Sequence, residues 1–265
     1  MSNSELFLPP FRDVEITPRS KDYLVDGKRY QRVTTALNII DKPALKIWQK
    51  NVALNKIKTV LLNSAVQEEL SVILKESPTL YNTWLDKLIA SASKSADEIS
   101  KTNATLGTEA HSLLQLASLM TEEEQELLLP TVPDDLRPAY DGGLDFLHDY
   151  KIKVKETELT VWDDELKVAG TIDGVGRNKI GKLVIWDWKR SASIYWQTAL
   201  QLSAYSTLLS HLTGELVETA YAVRLPRSTN DNFPYEVKKL ATSAFDAYEH
   251  AVHLQRAGNV KWWEK

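Results

Sequence analysis

The sequence predicts an α/β protein: a central mixed β-sheet with flanking helices, carrying a helical region on its N-terminal side. Three observations predict it. From about Thr34 to Tyr150, apolar residues recur at three- and four-residue spacing. After Lys151 the texture changes to alternating, β-branched segments divided by turn residues. Two further helical stretches then interrupt and close that strand-rich half. The periods differ because side chains repeat every 3.6 residues around a helix and every two along a strand.

The elements follow in order. Tyr23-Leu24-Val25 and Tyr30-Gln31-Arg32-Val33 flank Asp26-Gly27-Lys28, and an Asp-Gly pair between such runs signals a hairpin. ALNIIDKPALKIWQKNVALNKI, QEELSVILKE and LYNTWLDKLIA carry helical periodicity, with Asp41-Lys42-Pro43 and Ser77-Pro78 as helix openers. GTEAHSLLQLASLM reads as one further helix. Pro130, Pro133 and Pro138 break the pattern before a shorter helix in YDGGLDFLHDY. KIKVKETELTVW, LKVAGTIDGVGR and KLVIWDWK then form a three-stranded meander, turning at Asp163-Asp164-Glu165 and at Asn178-Lys179-Ile180-Gly181. Residues Tyr195 to Leu212 are helical, ETAYAVRL and PYEVKKL are strands, and a last helix runs from about Ala241 to Gly258. A boundary near residue 105 is expected: residues 1–105 as hairpin and helical region packed on the core, residues 106–265 as the core itself.

Bulk composition excludes several classes. A chain of 265 residues fits one large domain, or a core with a helical appendage, and 43% hydrophobic content is ample for a core. The net charge of −4 is not that of a passive nucleic-acid binder, although a basic groove can coexist with an acidic remainder. Cysteine is absent, which removes disulfides, thiol nucleophiles, thiolate zinc sites and cysteine-ligated iron–sulfur clusters. No G-x-S-x-G elbow and no phosphate-cradling glycine loop occur. The N-terminus, MSNSELFLPPFRDVEI, lacks a basic region followed by an apolar run, and no segment is apolar enough to cross a bilayer. The expectation is a cytoplasmic protein (host cytoplasm if viral) with no membrane association.

The chemistry concentrates in GTIDGVGRNKIGKLVIWDWK. Laid on two antiparallel strands, pairing about the turn sets Asp173 almost opposite Asp187. Alternation puts Asp187 and Lys189 on one face, with Trp186 and Trp188 on the other. Two carboxylates and an ammonium are expected on one patch. Pairing about the turn near Asp164 brings Glu158 close to Asp173. Glu156 shares that strand face and is its rival, and register favours Glu158. Asp187 stands in a strongly apolar strand, where an unpaired carboxylate would be costly. Carboxylates of this kind bind Mg²⁺ or Mn²⁺ through oxygen, and a lysine beside them can orient water or neutralise developing charge.

This pattern resembles the PD-(D/E)XK nuclease superfamily, and within it the RecB-like exonucleases of phage type. The signature acid, then acid-x-lysine, matches Asp173 and Asp187-Trp188-Lys189. The glutamine and tyrosine one helical turn apart match Gln201 and Tyr205, and the upstream histidine near a glycine matches Gly107 and His111. The acid of the preceding strand matches Glu158. Ile172 replaces the nominal proline. The match covers about residues 107 to 225. YLVDGKRYQRVTTALNII also looks like the opening of some phage-type and mitochondrial members.

The resemblance implies a restriction-endonuclease-like sheet and a Mg²⁺- or Mn²⁺-dependent deoxyribonuclease, with one or two ions and no iron–sulfur cluster. It implies His111, Asp173 and Asp187 as metal ligands, with the Asp187 or Trp188 carbonyl as a further one. Lys189 would act on water, Glu158 would bind metal indirectly or orient water, and Gln201 and Tyr205 would support the site. The expected substrate is DNA, single-stranded or at the end of a duplex, in recombination, repair or replication. The helical region is expected to shape the DNA entry path, and a single-strand-binding or annealing protein is the expected kind of protein partner. An endonuclease of the same fold and a non-catalytic DNA-binding accessory are the alternatives. Arg190 and Arg224 are candidate phosphate contacts. Among Trp48, Trp84, Trp162, Trp186, Trp188, Trp196, Trp262 and Trp263, most are expected to pack the core, and Trp196 is the candidate DNA contact.

Overall fold

The computed structural model describes residues 12–17, 22–258 and 260. Trp262 and Trp263 lie outside them. The described chain groups into two compact units, one of Met1–Ile40 with Gly107–Lys265 and one of Asp41–Leu106.

The larger unit is built on a mixed eight-stranded sheet. Its strands are β1 (Val14–Ile16), β2 (Tyr23–Val25), β3 (Lys28–Arg32), β4 (Lys153–Asp163), β5 (Val168–Arg177), β6 (Leu183–Lys189), β7 (Thr219–Arg224) and β8 (Glu236–Lys239). The order is β1-β2-β3-β5-β6-β7-β8, with β4 paired to β5. Asp26 and Gly27 both take positive φ, 49° and 71°, as a two-residue turn matched to strand twist requires, and Val25 pairs with Lys28 across it. The short β1 adds to this hairpin; its three residues are too few for alternation to mark a strand in the sequence. The hairpin belongs to the core unit because β3 runs parallel to β5, pairing Gln31 with Val168 and Arg32 with Ala169.

β5 has three neighbours. Along one edge it pairs with β4 almost throughout, from Val168 opposite Asp163 to Arg177 opposite Lys153. Along the other it meets β3 at Val168 and Ala169, then β6 only from Gly174 onward. Residues 170–173 of that edge therefore have no strand beside them, so β3 and β6 part there. Crevices of this kind, where neighbouring strands diverge, are where open α/β sheets place their sites.

Helices cover both faces. α7 (Gln197–Thr213) and α8 (Phe245–Ala257) pack Leu202, Leu208, Leu209, Tyr248 and Val252 with Ile172, Val175, Leu183 and Ile185 of the sheet. α6 (Arg137–Asp149) sets Phe146 against Trp186, Trp188 and Tyr221. The β6 sequence LVIWDWK thus alternates as its period requires: Leu183 and Ile185 enter one core, and Trp186 and Trp188 the aromatic one. A short helix, α1 (Val33–Ala36), follows β3.

The smaller unit is helical. Pro43 opens α2 (Pro43–Leu61), and Asn63 caps α3 (Ser64–Glu76) by accepting from the Val66 N–H. α4 (Pro78–Ala117) is one 40-residue helix where the sequence reads as two; its residues up to Leu106 belong to the smaller unit and those from Gly107 on, His111 among them, to the larger. No proline interrupts it, and Gly107 lies inside it at a cost of about 1 kcal/mol relative to alanine. α5 (Glu122–Leu128), in the larger unit, begins with a capping box between Thr121 and Glu124.

Candidate active site

The end of β6 carries a buried ion pair. Asp187 is almost fully buried, and its Oδ2 stands 2.5 Å from Lys189 Nζ. Gln201, on α7, locks the pair: its Oε1 accepts from Lys189 Nζ at 3.1 Å, and its Nε2 donates to Asp187 Oδ1 at 2.9 Å. Only one orientation of the amide serves both partners, an acceptor toward the ammonium and a donor toward the carboxylate. Gln201 Nε2 also donates to the Tyr205 hydroxyl at 3.3 Å, one turn on. Gly170 makes room for this tyrosine, since a Cβ there would lie 2.6 Å from the Tyr205 ring.

Burial raises the Asp187 pKa to about 6, against the opposing charge of Lys189. Burial alone would lower the Lys189 pKa, but the charges of Asp187 and Asp173 outweigh it and hold the amine as an ammonium. Desolvation pushes the Tyr205 hydroxyl well above its ordinary range, so it stays neutral. Asp187 Oδ2, although beside the ammonium, finds no well-directed hydrogen bond and keeps an unused acceptor position in the interior.

Asp173 sits at the unpartnered stretch of β5. Its Oδ2 accepts from the Trp188 backbone N–H at 2.7 Å, so the side chain bonds to β6 where the ladder has ended. Trp188 thus joins the site through its main chain, while its ring packs edge-on against Phe146. Gly174 is not a turn residue. A Cβ there would lie 2.0 Å from the Trp186 indole, so the glycine lets that ring lie across β5. Strand alternation breaks at this point: Ile172 and Val175 share one core although three residues apart.

Opposite the break, Glu158 takes φ +53° inside β4, between the pairs Thr157–Gly174 and Leu159–Ile172. This left-handed conformation is rare for a glutamate in a strand and costs about 1–3 kcal/mol. It accompanies a cluster. One ligand atom each from His111, Glu158 and Asp173 lies within 4.8 Å of the others, and His111 Nδ1 is 3.5 Å from Asp173 Oδ2. Glu156, the rival acid, is not in this set.

Desolvation, then the Asp173 charge, raises the Glu158 pKa. Burial would lower that of His111, but the Asp173 charge and hydrogen bond reverse the direction and raise it. Two carboxylates crowded with an imidazole form a donor set that fits a hard divalent cation. Asp187 itself engages Lys189 and Gln201 rather than this trio.

The remaining candidates separate. Arg190 donates to the Asp135 and Arg227 carbonyls at 3.3 and 2.7 Å, and burial lowers its pKa. Arg224 donates to the Ser191 carbonyl at 2.9 Å, pairs with Glu236 at 2.7 Å and lies over the Phe233 ring. Both guanidinium groups brace the chain around the loop that follows β6. Trp196 is 63% exposed at the head of α7. Sequence reasoning missed Gln197, one turn before Gln201, whose Oε1 is buried with no hydrogen-bond partner among the described residues. Its i, i+4, i+8 spacing with Gln201 and Tyr205 was the available signal.

No family model and no curated protein matches this chain. Among solved structures, the crystal structure of SSO0001 is 16% identical with a TM-score of 0.31, covering 59% of this chain and 77% of that one. A protein from Eubacterium rectale to which exonuclease activity has been ascribed is 13% identical with a TM-score of 0.31, covering 60% of this chain and 65% of that one. Likeness at this level carries none of the functional reading, which rests on the geometry of the site. No helix among the described residues is long and apolar enough to cross a membrane.

Proposed function

We propose that this chain is a metal-dependent deoxyribonuclease that hydrolyses phosphodiester bonds from DNA ends. One observation carries the reading: a His111–Glu158–Asp173 donor set comes together where the alternation of β5 breaks, with the buried Asp187–Lys189 pair locked by Gln201 on the neighbouring β6. His111, Glu158 and Asp173 would hold Mg²⁺ or Mn²⁺, with Asp187 Oδ2 and the main chain at Trp188 adjoining. A divalent cation bound there supplies a polarised phosphoryl oxygen and a water of lowered pKa.

The protein's own groups do the rest. Lys189 is kept protonated by Asp187, so it acts as a donor, orienting the attacking water and neutralising charge that builds on the phosphate. Gln201 fixes the ammonium's position, and Tyr205 fixes the amide of Gln201. Asp173 ties β5 to β6 through the Trp188 N–H, which holds the two acidic strands at constant separation.

The test is nucleotide release from end-labelled linear single- and double-stranded DNA, with Mg²⁺, Mn²⁺ or EDTA, against closed circular controls and a Lys189→Ala variant. Metal-dependent loss of linear but not circular DNA, abolished by Lys189→Ala, is the expected result. Cleavage of circles would make the protein an endonuclease. DNA binding without cleavage under any metal would overturn the enzyme reading in favour of an accessory protein.

A further inference from the structure

Between Lys189 at the site and Gln201 on α7, the chain runs Arg190-Ser191-Ala192-Ser193-Ile194-Tyr195-Trp196-Gln197, with no acidic residue. This loop is firmly held. Ile194 is buried in the core, and its carbonyl accepts from Lys238 Nζ at 3.1 Å. Ser191 is anchored by Arg224 and by its own hydroxyl, which donates to the Ser193 carbonyl. The loop is braced, yet it presents two large aromatic rings to solvent: Tyr195 is 48% and Trp196 63% exposed. The other described tryptophans are buried or partly buried, so Trp196 is the exception.

The position of these rings is specific. Trp196 is five residues before Gln201, about 7.5 Å along the helix axis at 1.5 Å per residue. Gln197 lies on the same helical face as Gln201 and Tyr205, one turn nearer the exposed end. Its buried Oε1 lacks a partner, and the other amide orientation would place an N–H₂ donor at the same spot. An unsatisfied buried amide is destabilising unless something completes it.

We propose that Tyr195, Trp196 and Gln197 form a nucleobase subsite, so that the strand entering the active site does so unpaired, stacking a base on the Trp196 ring while the Gln197 amide meets a base edge or sugar hydroxyl. This rests on the nuclease reading and adds to it the residues that would hold an unpaired strand by its bases. Aromatic faces accept any base, so the subsite is indifferent to sequence. The absence of acids from the loop leaves the neighbouring phosphates unopposed. A braced platform also loses little freedom on binding.

The test is fluorescence anisotropy of labelled oligonucleotides in EDTA, where affinity is read without turnover. The probes are a single strand, a blunt hairpin duplex and a strand of abasic sites. Wild-type protein is expected to prefer the single strand. Trp196→Ala should weaken that complex by about 5- to 150-fold. It should leave the abasic complex unchanged, and Trp196→Phe should retain most of the affinity. Gln197→Ala should weaken the single-strand complex as well. Equal affinity of wild type for single strand and duplex, or of Trp196→Ala and wild type for the single strand, overturns the subsite alone. Wild-type protein that binds none of the probes, in EDTA or with Ca²⁺ in its place, overturns the nuclease reading with it.

Discussion

Replacing Lys189 with methionine tests the electrostatics of the site most directly. The substitution keeps much of the apolar stem and deletes the ammonium 2.5 Å from Asp187 Oδ2, leaving a carboxylate whose side chain is 3% exposed. Removing one partner of a buried pair costs about 3–5 kcal/mol, because the other charge is stranded. The carboxylate has an escape, since it can take up a proton. Its folded pKa, about 6 with lysine present, lies above its unfolded value, so the stability it contributes is complete below the unfolded pKa and is lost as pH rises through the folded one. Without Lys189, whose charge opposes the upward shift, the folded pKa climbs further and the loss extends to higher pH. Lys189→Met should therefore be much less stable than wild type at pH 8 and far closer to it at pH 5. Asp187→Asn/Lys189→Met, which strands no charge, should recover most of the deficit at pH 8. Urea melts of wild type, Lys189→Met, Asp187→Asn and the double variant at both pH values give the cycle. A single variant as stable as wild type at pH 8, or a double variant no better than the single, would refute the buried-pair account.

Three further outcomes follow from the same geometry. Mg²⁺ or Mn²⁺ should raise the melting temperature of wild type, by an amount equivalent to about 2.7 kcal/mol at a hundredfold excess over Kd, and EDTA should reverse it; Asp173→Asn should show no such shift in a calorimetric scan. Glu158→Gly should lose little or no stability in denaturant melts, because glycine accepts φ +53° without strain, while Glu158→Val should lose about 1–3 kcal/mol, and neither should respond to metal. Gly174→Ala should be destabilised by about 1–3 kcal/mol or more, since its Cβ would lie 2.0 Å from the Trp186 indole with Phe146 packed behind that ring; restored stability in Gly174→Ala/Trp186→Leu would confirm the clash as the cause.

Much of the candidate site's geometry was legible in the sequence because it depends on local period. Alternation in LVIWDWK separates Asp187 and Lys189 from Trp186 and Trp188, and the structure places those tryptophans against Phe146 and the ion pair against α7. Helical spacing sets Gln201 and Tyr205 on one face, where they bond to each other. Turn chemistry at Asp26-Gly27 places the hairpin. Each is written in neighbours a few residues apart, so each survives without knowledge of the rest of the chain.

Tertiary structure decided what depends on distant pairing. The union of β3 with β5 joins residues more than a hundred positions apart, and it opens the gap on β5 where Asp173 reaches the Trp188 N–H. The left-handed Glu158 violates the strand rule that identified its neighbours, and Arg190 and Arg224, exposed in type, are occupied by carbonyls and by Glu236. The sequence by itself therefore determined the order and type of the elements from β4 to α8 and the facing of the acid–lysine pair, through short-range periodicity. Which carboxylates converge with His111, and which polar groups are left unpaired, was decided only when the chain closed on itself, because strand pairing and burial are properties of contacts between segments.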